Sequence, residues 1–152
     1  MRKMRMLHAN IEIARPTAEV FLYVTNHRKW PDWSAPVIAV ESAESGPLQP
    51  GATVTVVMKL VARQFNTVYQ VTAYEPNWLL AYTSESGALP NTITWRFEAD
   101  PGGGCTVNQT IEGDEELTAG FFKLAFPLIE AAVHRQMVAG LATLKDILES
   151  GR

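Results

Sequence analysis

The sequence lacks most of the features that mark a specialised class of protein. It has one cysteine, Cys105, which cannot form an internal disulfide and suits a reducing cytoplasm, the location we expect. The net charge at pH 7 is −3, so no general excess of positive charge attracts nucleic acid or an anionic membrane. No window approaches about 18 consecutive uncharged apolar residues. We therefore expect neither an integral membrane segment nor a signal peptide.

Motifs for common catalysts and cofactors are also missing. His8, His27 and His134 fall on separate predicted elements without the spacing of metal ligands, so no metal site is expected. The glycines at 102–104 are followed by neither Lys-Ser/Thr nor a helix, which favours a hairpin turn over a phosphate-binding loop. No serine lies in a nucleophile-elbow context. No cofactor is therefore expected.

The most informative segment is the amphipathic C-terminal third, Leu117–Glu149. Large apolar residues recur there every three or four positions, which predicts a single long helix with one apolar stripe. The stripe consists of Phe122, Phe126, Ile129, Val133, Met137, Leu141, Leu144 and Leu148. Asp114, Glu115 and Glu116 precede it, where negative charge caps a helix and complements its dipole. Gly140 costs about 1 kcal/mol relative to alanine within a helix, which close packing on a strand would explain.

The rest of the chain alternates with the period of β-strands. Residues 4–14 predict a half-buried first strand, and two short helices are expected around a break at Trp30-Pro31-Asp32-Trp33. Further strands are predicted at 37–41, 52–62, 64–74, 78–85, 92–99 and 106–113. Short turns join them, so neighbouring strands should be antiparallel. Because no linker or repeat interrupts the pattern, we expect one domain over residues 1–152.

Several stretches, spread in order along the chain, resemble one superfamily. They are residues 11–21, Trp30-Pro31-Asp32-Trp33, Gly51, 71–76, 95–97 and 141–145. The ordered set resembles the SRPBCC superfamily (START-like or helix-grip), especially its polyketide cyclase/dehydrase-like branch. The resemblance implies an α+β helix-grip fold. In that fold a curved seven-stranded antiparallel sheet wraps around a long C-terminal helix, and two short helices follow the first strand. It also implies a deep apolar cavity, but no universal catalytic motif.

Aromatic and inward-facing polar residues are the candidates for lining such a cavity. Trp30 and Trp33 are expected at its rim, because their bulky amphipathic rings suit a pocket edge better than an exposed turn. Gln109 would point an amide inward, to bond either the backbone or a polar group of a ligand, and the hydroxyls of Tyr69 and Tyr82 would do the same. The predicted ligand-binding set is Trp30, Trp33, Tyr69, Tyr82, Trp95, Phe97, Gln109, Phe122, Phe126, Ile129 and Val133.

These features favour a protein that binds or carries a hydrophobic small molecule, lipid- or polyketide-like. One alternative is a polyketide cyclase or dehydratase in the same cavity, with Gln109, Tyr69 and Tyr82 as the first catalytic candidates. A second is a co-chaperone-like module that binds a protein in its groove. The scarcity of inward ionisable residues favours binding, whereas His27 or Arg28 in the cavity would favour the enzyme. The sequence leaves a homodimer open.

Overall fold

The computed structural model describes residues 3–42 and 46–151. Its strands are β1 (Met4–Ile13), β2 (Val37–Glu41), β3 (Thr53–Leu60), β4 (Arg63–Glu75), β5 (Leu79–Gly87), β6 (Asn91–Ala99) and β7 (Cys105–Asp114). Its helices are α1 (Thr17–Thr25), α2 (Trp30–Trp33), α3 (Glu115–Phe122) and α4 (Phe126–Ser150), with a 3-10 turn at His27–Lys29.

The strands form one antiparallel sheet, in the order β1-β7-β6-β5-β4-β3-β2. Alternation places the apolar side chains on one face: in β3, Val54, Val56 and Met58 are buried between more exposed neighbours. The sheet curls into a half-barrel around α4, so the expected helix-grip architecture is confirmed.

Helix α4 contributes the apolar stripe that closes the concave face. Its buried residues are Ile129, Met137, Gly140, Leu141, Leu144 and Leu148. Each large apolar side chain contributes roughly 1.5–3 kcal/mol when fully buried, so this helix is a main source of stability. Its polar side also covers the edge strand β1. Lys145 Nζ donates to the Glu12 carbonyl at 2.8 Å, and His134 Nε2 lies 3.2 Å from the His8 carbonyl oxygen.

The prediction of a single helix over Leu117–Glu149 is wrong, because α3 and α4 meet at a 91° bend. Lys123 adopts a left-handed conformation, and its N–H donates to the Ala119 carbonyl to end α3. Pro127 then lies in the first turn of α4, where its missing N–H does no harm. The three- and four-residue spacing of apolar side chains continues across the bend, so periodicity alone predicts one helix. Pro127 is the residue in the sequence that indicates the start of a second helix.

The predicted cap at the start of this region is confirmed. Asp114 is the N-cap of α3, and its Oδ1 accepts the Leu117 N–H at 2.9 Å. By contrast, the Trp-Pro-Asp-Trp motif does not interrupt two helices. It is itself the second short helix, with Pro31 in the first turn.

No single helix in the described part of the chain has both the length and the hydropathy to cross a membrane. Helices α3 and α4 have that length and hydropathy only when they are taken together, and they meet at the 91° bend.

Truncation of Leu144 tests the role of α4. Leu144 is fully buried, so we expect Leu144→Ala to lower the free energy of unfolding by about 2–5 kcal/mol in urea titrations. Leu128→Ala is the matched control on the same helix, because Leu128 is 62% exposed and its loss should cost less than about 0.5 kcal/mol. Equal losses in the two variants would contradict the packing described for α4.

Candidate functional site

A cavity of about 130 Å³ lies between the concave face of the sheet and α4. Its sheet wall is built from three successive cross-strand rows, set by the register of β5, β6, β7 and β1. From the closed end outwards these are Trp95–Gln109, then Tyr82–Ile93–Ile111–Leu7, then Asn91–Gly113–Arg5. Phe126, Ile129, Val133 and Met137 of α4 and Trp30 and Trp33 of α2 complete the lining.

The outermost row carries an ion-paired arginine that marks the open end. Arg5 Nη2 lies 3.3 Å from Glu130 Oε2, and Arg5 Nη1 lies 3.5 Å from Glu115 Oε1. The guanidinium also sits over the ring of Phe126, 5.3 Å from its centroid. About a third of each of the Arg5 and Glu130 side chains is exposed, so water reaches this end of the cavity.

The inner wall is a set of aromatic rings fixed by stacking and hydrogen bonds. Trp30 stacks on Tyr82 with centroids 5.2 Å apart, and Trp33 packs edge-on against Trp95 at 5.5 Å. Trp95 Nε1 donates to the Tyr82 hydroxyl at 3.0 Å, and Trp30 Nε1 donates to the Val24 carbonyl at 2.8 Å. These contacts hold the rings at the wall and keep them from collapsing into the cavity.

The two buried tyrosines are neutral hydrogen-bonding groups. Tyr69 donates from its hydroxyl to Asn91 Oδ1 at 2.7 Å, and Tyr82 accepts from Trp95. Burial raises the pKa of Tyr69 and of Tyr82 well above the usual value of 10.0. Neither phenol therefore acts as a base near neutral pH.

Charge is confined to the mouth. Among the described lining residues, only Arg5 and Glu130 carry a charged side chain. His27 and Arg28 do not line this cavity; they border a separate surface depression together with Glu41. The two side chains whose presence in the cavity would have favoured an enzyme therefore lie elsewhere.

Most of the predicted ligand-binding residues meet at this cavity. Those in its lining are Trp30, Trp33, Tyr69, Tyr82, Trp95, Gln109, Phe126, Ile129 and Val133. Trp30 and Trp33 lie in the wall and not at an exposed rim, since the two residues are 3% and 4% exposed. They were expected at the rim because the break at this motif suggested a loop, whereas the helical turn of α2 directs both rings inward.

Phe97 and Phe122 lie outside the lining. Phe97 is two residues beyond Trp95 on the same face of β6, under the closed end, where its ring packs edge-on against Phe21 at 5.1 Å. Phe122 ends α3 and packs 6.2 Å from Phe65, in a small apolar cluster beside the cavity. Periodicity identified both as inward-facing, but it cannot say how far along a strand the hollow extends.

Sequence reasoning missed Arg5, Asn91 and Gln136, which also line the cavity. Arg5 alternates with inward-facing Leu7 on β1, so strand periodicity was a usable signal for it. Gln136 lies beside the apolar stripe of α4, and nothing in its local pattern marks it.

Gly140 brings α4 close to the backbone that follows α2. A Cβ at this position would lie 3.3 Å from the Trp33 carbonyl oxygen, tighter than most such contacts. The expected packing against a strand is therefore wrong, because the close neighbour is the α2–β2 connection. This approach brings α4 and the α2–β2 connection together at the inner end of the cavity.

The raised pKa of the two phenols predicts alkaline destabilisation. Their contribution to stability is complete below pH 10.0 and is lost as the pH rises above it, because the unfolded chain releases these protons first. In urea unfolding at a series of alkaline pH values, the unfolding free energy should fall less steeply in the double variant Tyr69→Phe/Tyr82→Phe than in the wild type. Identical slopes would contradict the burial of these hydroxyls.

Comparisons with known proteins agree with this fold. The family model described as polyketide cyclase/dehydrase and lipid transport matches residues 4–149. A Zhui aromatase/cyclase from Streptomyces sp. R1128 superposes with a TM-score of 0.78 at 20% identity, covering 97% of this chain and 94% of that one. A START superfamily protein from Mycobacterium smegmatis gives a TM-score of 0.76 at 8% identity, covering 97% and 99% of the two chains.

A protein from Thermus thermophilus gives a TM-score of 0.78 at 13% identity, with 97% and 99% coverage. At these identities the superpositions establish the fold alone. No protein of curated function matches the sequence significantly. The family match, which spans nearly the whole chain, is more specific. The chain therefore belongs to the polyketide cyclase/dehydrase and lipid transport family, within the SRPBCC superfamily.

Proposed function

We propose that this protein binds and carries a small, uncharged, hydrophobic compound in the cavity between the sheet and α4. The observation that carries the proposal is a wall of aromatic and aliphatic side chains whose charged groups lie only at the mouth, among the residues described. A charged group placed deeper would lose its hydration without a partner, at a cost of several kcal/mol. A neutral apolar guest instead lowers the free energy of the system when its surface leaves water for the cavity.

The size of the cavity limits the guest. Sites for drug-sized ligands enclose about 300–1,000 Å³, whereas this cavity measures about 130 Å³. An apolar cavity of about 150 Å³ accommodates a benzene ring. The present side-chain arrangement therefore fits a compound of about one ring, and larger guests require movement of flexible lining residues such as Met58 and Met137.

The family supports the chemical class of the guest. Its description joins lipid transport with polyketide cyclase and dehydrase chemistry, and lipids and cyclised aromatic polyketides both present extensive apolar surface. The stacked rings of Trp30 and Tyr82 favour an aromatic guest over a purely aliphatic one.

A charge introduced at the mouth tests binding. We expect Phe126→Glu to lower the affinity for a fluorescent apolar probe at least roughly tenfold, because it removes a lining ring and places a carboxylate on the surface that an apolar guest would contact. Leu128→Glu, two residues along α4 on the exposed side, should leave the affinity unchanged. Loss in both variants, or in neither, would argue against this cavity as the binding site. A co-purifying apolar compound in denaturing mass spectrometry would support the proposal independently.

A cyclase or dehydratase is the second candidate, favoured by the family and by one feature of the mouth. Glu130 is the lone carboxylate among the described lining residues and lies beside Arg5, which is an arrangement able to move a proton and stabilise an anion. The sequence-based candidates Gln109, Tyr69 and Tyr82 lie further in and are neutral.

The enzyme hypothesis predicts turnover of a poly-β-ketone analogue. Glu130→Gln should then reduce the rate by about 10²–10⁴-fold while a bound apolar probe is still displaced by substrate. Product analysis by chromatography measures this. If the wild type binds the analogue without turning it over, the carrier function stands and the cyclase or dehydratase function is excluded.

A further inference from the structure

We propose that the closed end of the cavity binds a hydroxyl group of the guest, a phenol or an enol, between Trp33 Nε1 and Gln136 Oε1. The inference rests on the proposed function and specifies the chemistry of its guest. It places one polar group of the compound innermost and the apolar remainder towards the mouth.

The first half of the site is an indole N–H without an acceptor. Three tryptophans line the cavity, and two of them are satisfied within the protein: Trp30 donates to the Val24 carbonyl and Trp95 to the Tyr82 hydroxyl. Trp33 Nε1 is buried and has no acceptor among the described residues, and the residue as a whole is only 4% exposed. A buried donor in that condition is unfavourable, and a guest oxygen in the cavity would satisfy it.

The second half is a buried amide oxygen on α4. Gln136 Oε1 is likewise buried without a donor from the described part of the chain, and Gln136 lines the same cavity. It lies one helical turn before Gly140, the residue whose backbone meets the Trp33 carbonyl. Both residues therefore lie towards the end of the cavity where α2 and α4 approach each other.

The pairing of one donor with one acceptor selects the ligand group. A hydroxyl accepts one hydrogen bond and donates another, so it satisfies both atoms. A ketone or ether oxygen satisfies Trp33 alone. A carboxylate would bring charge to an end of the cavity where no described lining residue is cationic. The edge-on contact of Trp33 with Trp95 leaves an aromatic surface beside the site for the ring that bears the hydroxyl.

The test compares two near-isosteric ligands, 4-methylphenol and p-xylene, which differ in a hydroxyl for a methyl. We expect the wild type to bind 4-methylphenol roughly tenfold more tightly, as two hydrogen bonds allow. In two-dimensional NMR, the indole N–H resonance assigned to Trp33 should shift with 4-methylphenol and respond much less to p-xylene. Calorimetric or NMR titration gives both affinities.

Variants separate the two contacts from general effects on packing. Trp33→Phe and Gln136→Leu should each reduce the preference for 4-methylphenol to about threefold or less, and Gln136→Leu should also bind p-xylene more tightly than the wild type does. That gain cannot come from misfolding. Gln64→Leu, at an exposed position on β4, is the matched control and should keep the full preference.

The outcomes distinguish the two proposals. Equal wild-type affinity for the two ligands, or a preference that survives in both variants, overturns the hydroxyl site and leaves an apolar carrier. Absence of binding by both ligands overturns the carrier function itself, and the hydroxyl site with it. A preference that is lost in both variants and kept in Gln64→Leu supports the site.

Discussion

The packing of α4 across the concave face of the sheet is the constraint on which the rest of the structure depends. A curled antiparallel sheet exposes a broad apolar surface that its own strands cannot cover. Residues such as Leu141 and Leu144 cover it at the C-terminal half of the helix, where the core is dense. Towards the N-terminal half the helix spans the same sheet over the cavity, and α3 meets it there at a 91° bend. The same contact therefore produces both the stability and the hollow.

The cavity stays open because hydrogen bonds and ring stacking hold the aromatic side chains of its wall in place. The rings of Trp95, Tyr82 and Trp30 are tied by hydrogen bonds and stacking to one another and to the Val24 carbonyl. Moving any ring inward would break a buried hydrogen bond, which costs more than the dispersion gained by filling part of the space. At the inner end, the absence of a side chain at Gly140 lets α4 pack closely against the Trp33 carbonyl. The cavity is thus a property of the hydrogen bonds that hold Trp30, Tyr82 and Trp95 as much as of apolar surface.

The electrostatics of the cavity support the proposed binding role more than the alternative of catalysis. Catalysis by proton transfer is most efficient when the pKa of the catalytic group is near the working pH. Burial moves the pKa of Tyr69 and Tyr82 in the opposite direction from that requirement. The charged pair of Arg5 and Glu130 stands at the mouth, where it can influence entry and interact with the exposed end of a guest. Family membership is compatible with either role, because one fold hosts several functions.

The sequence by itself determined the order of elements, the inward faces of the strands and most of the aromatic lining, because strand and helix periodicities are local and survive in a single chain. It also carried the family resemblance. The tertiary structure alone decided where α3 ends and α4 begins, since the helical spacing of Phe122 and Phe126 continues across the bend between the two helices. It also decided that Phe97 lies beneath the cavity and Gln136 within it. Those positions depend on strand register and helix placement, which are set by contacts between residues far apart in the chain.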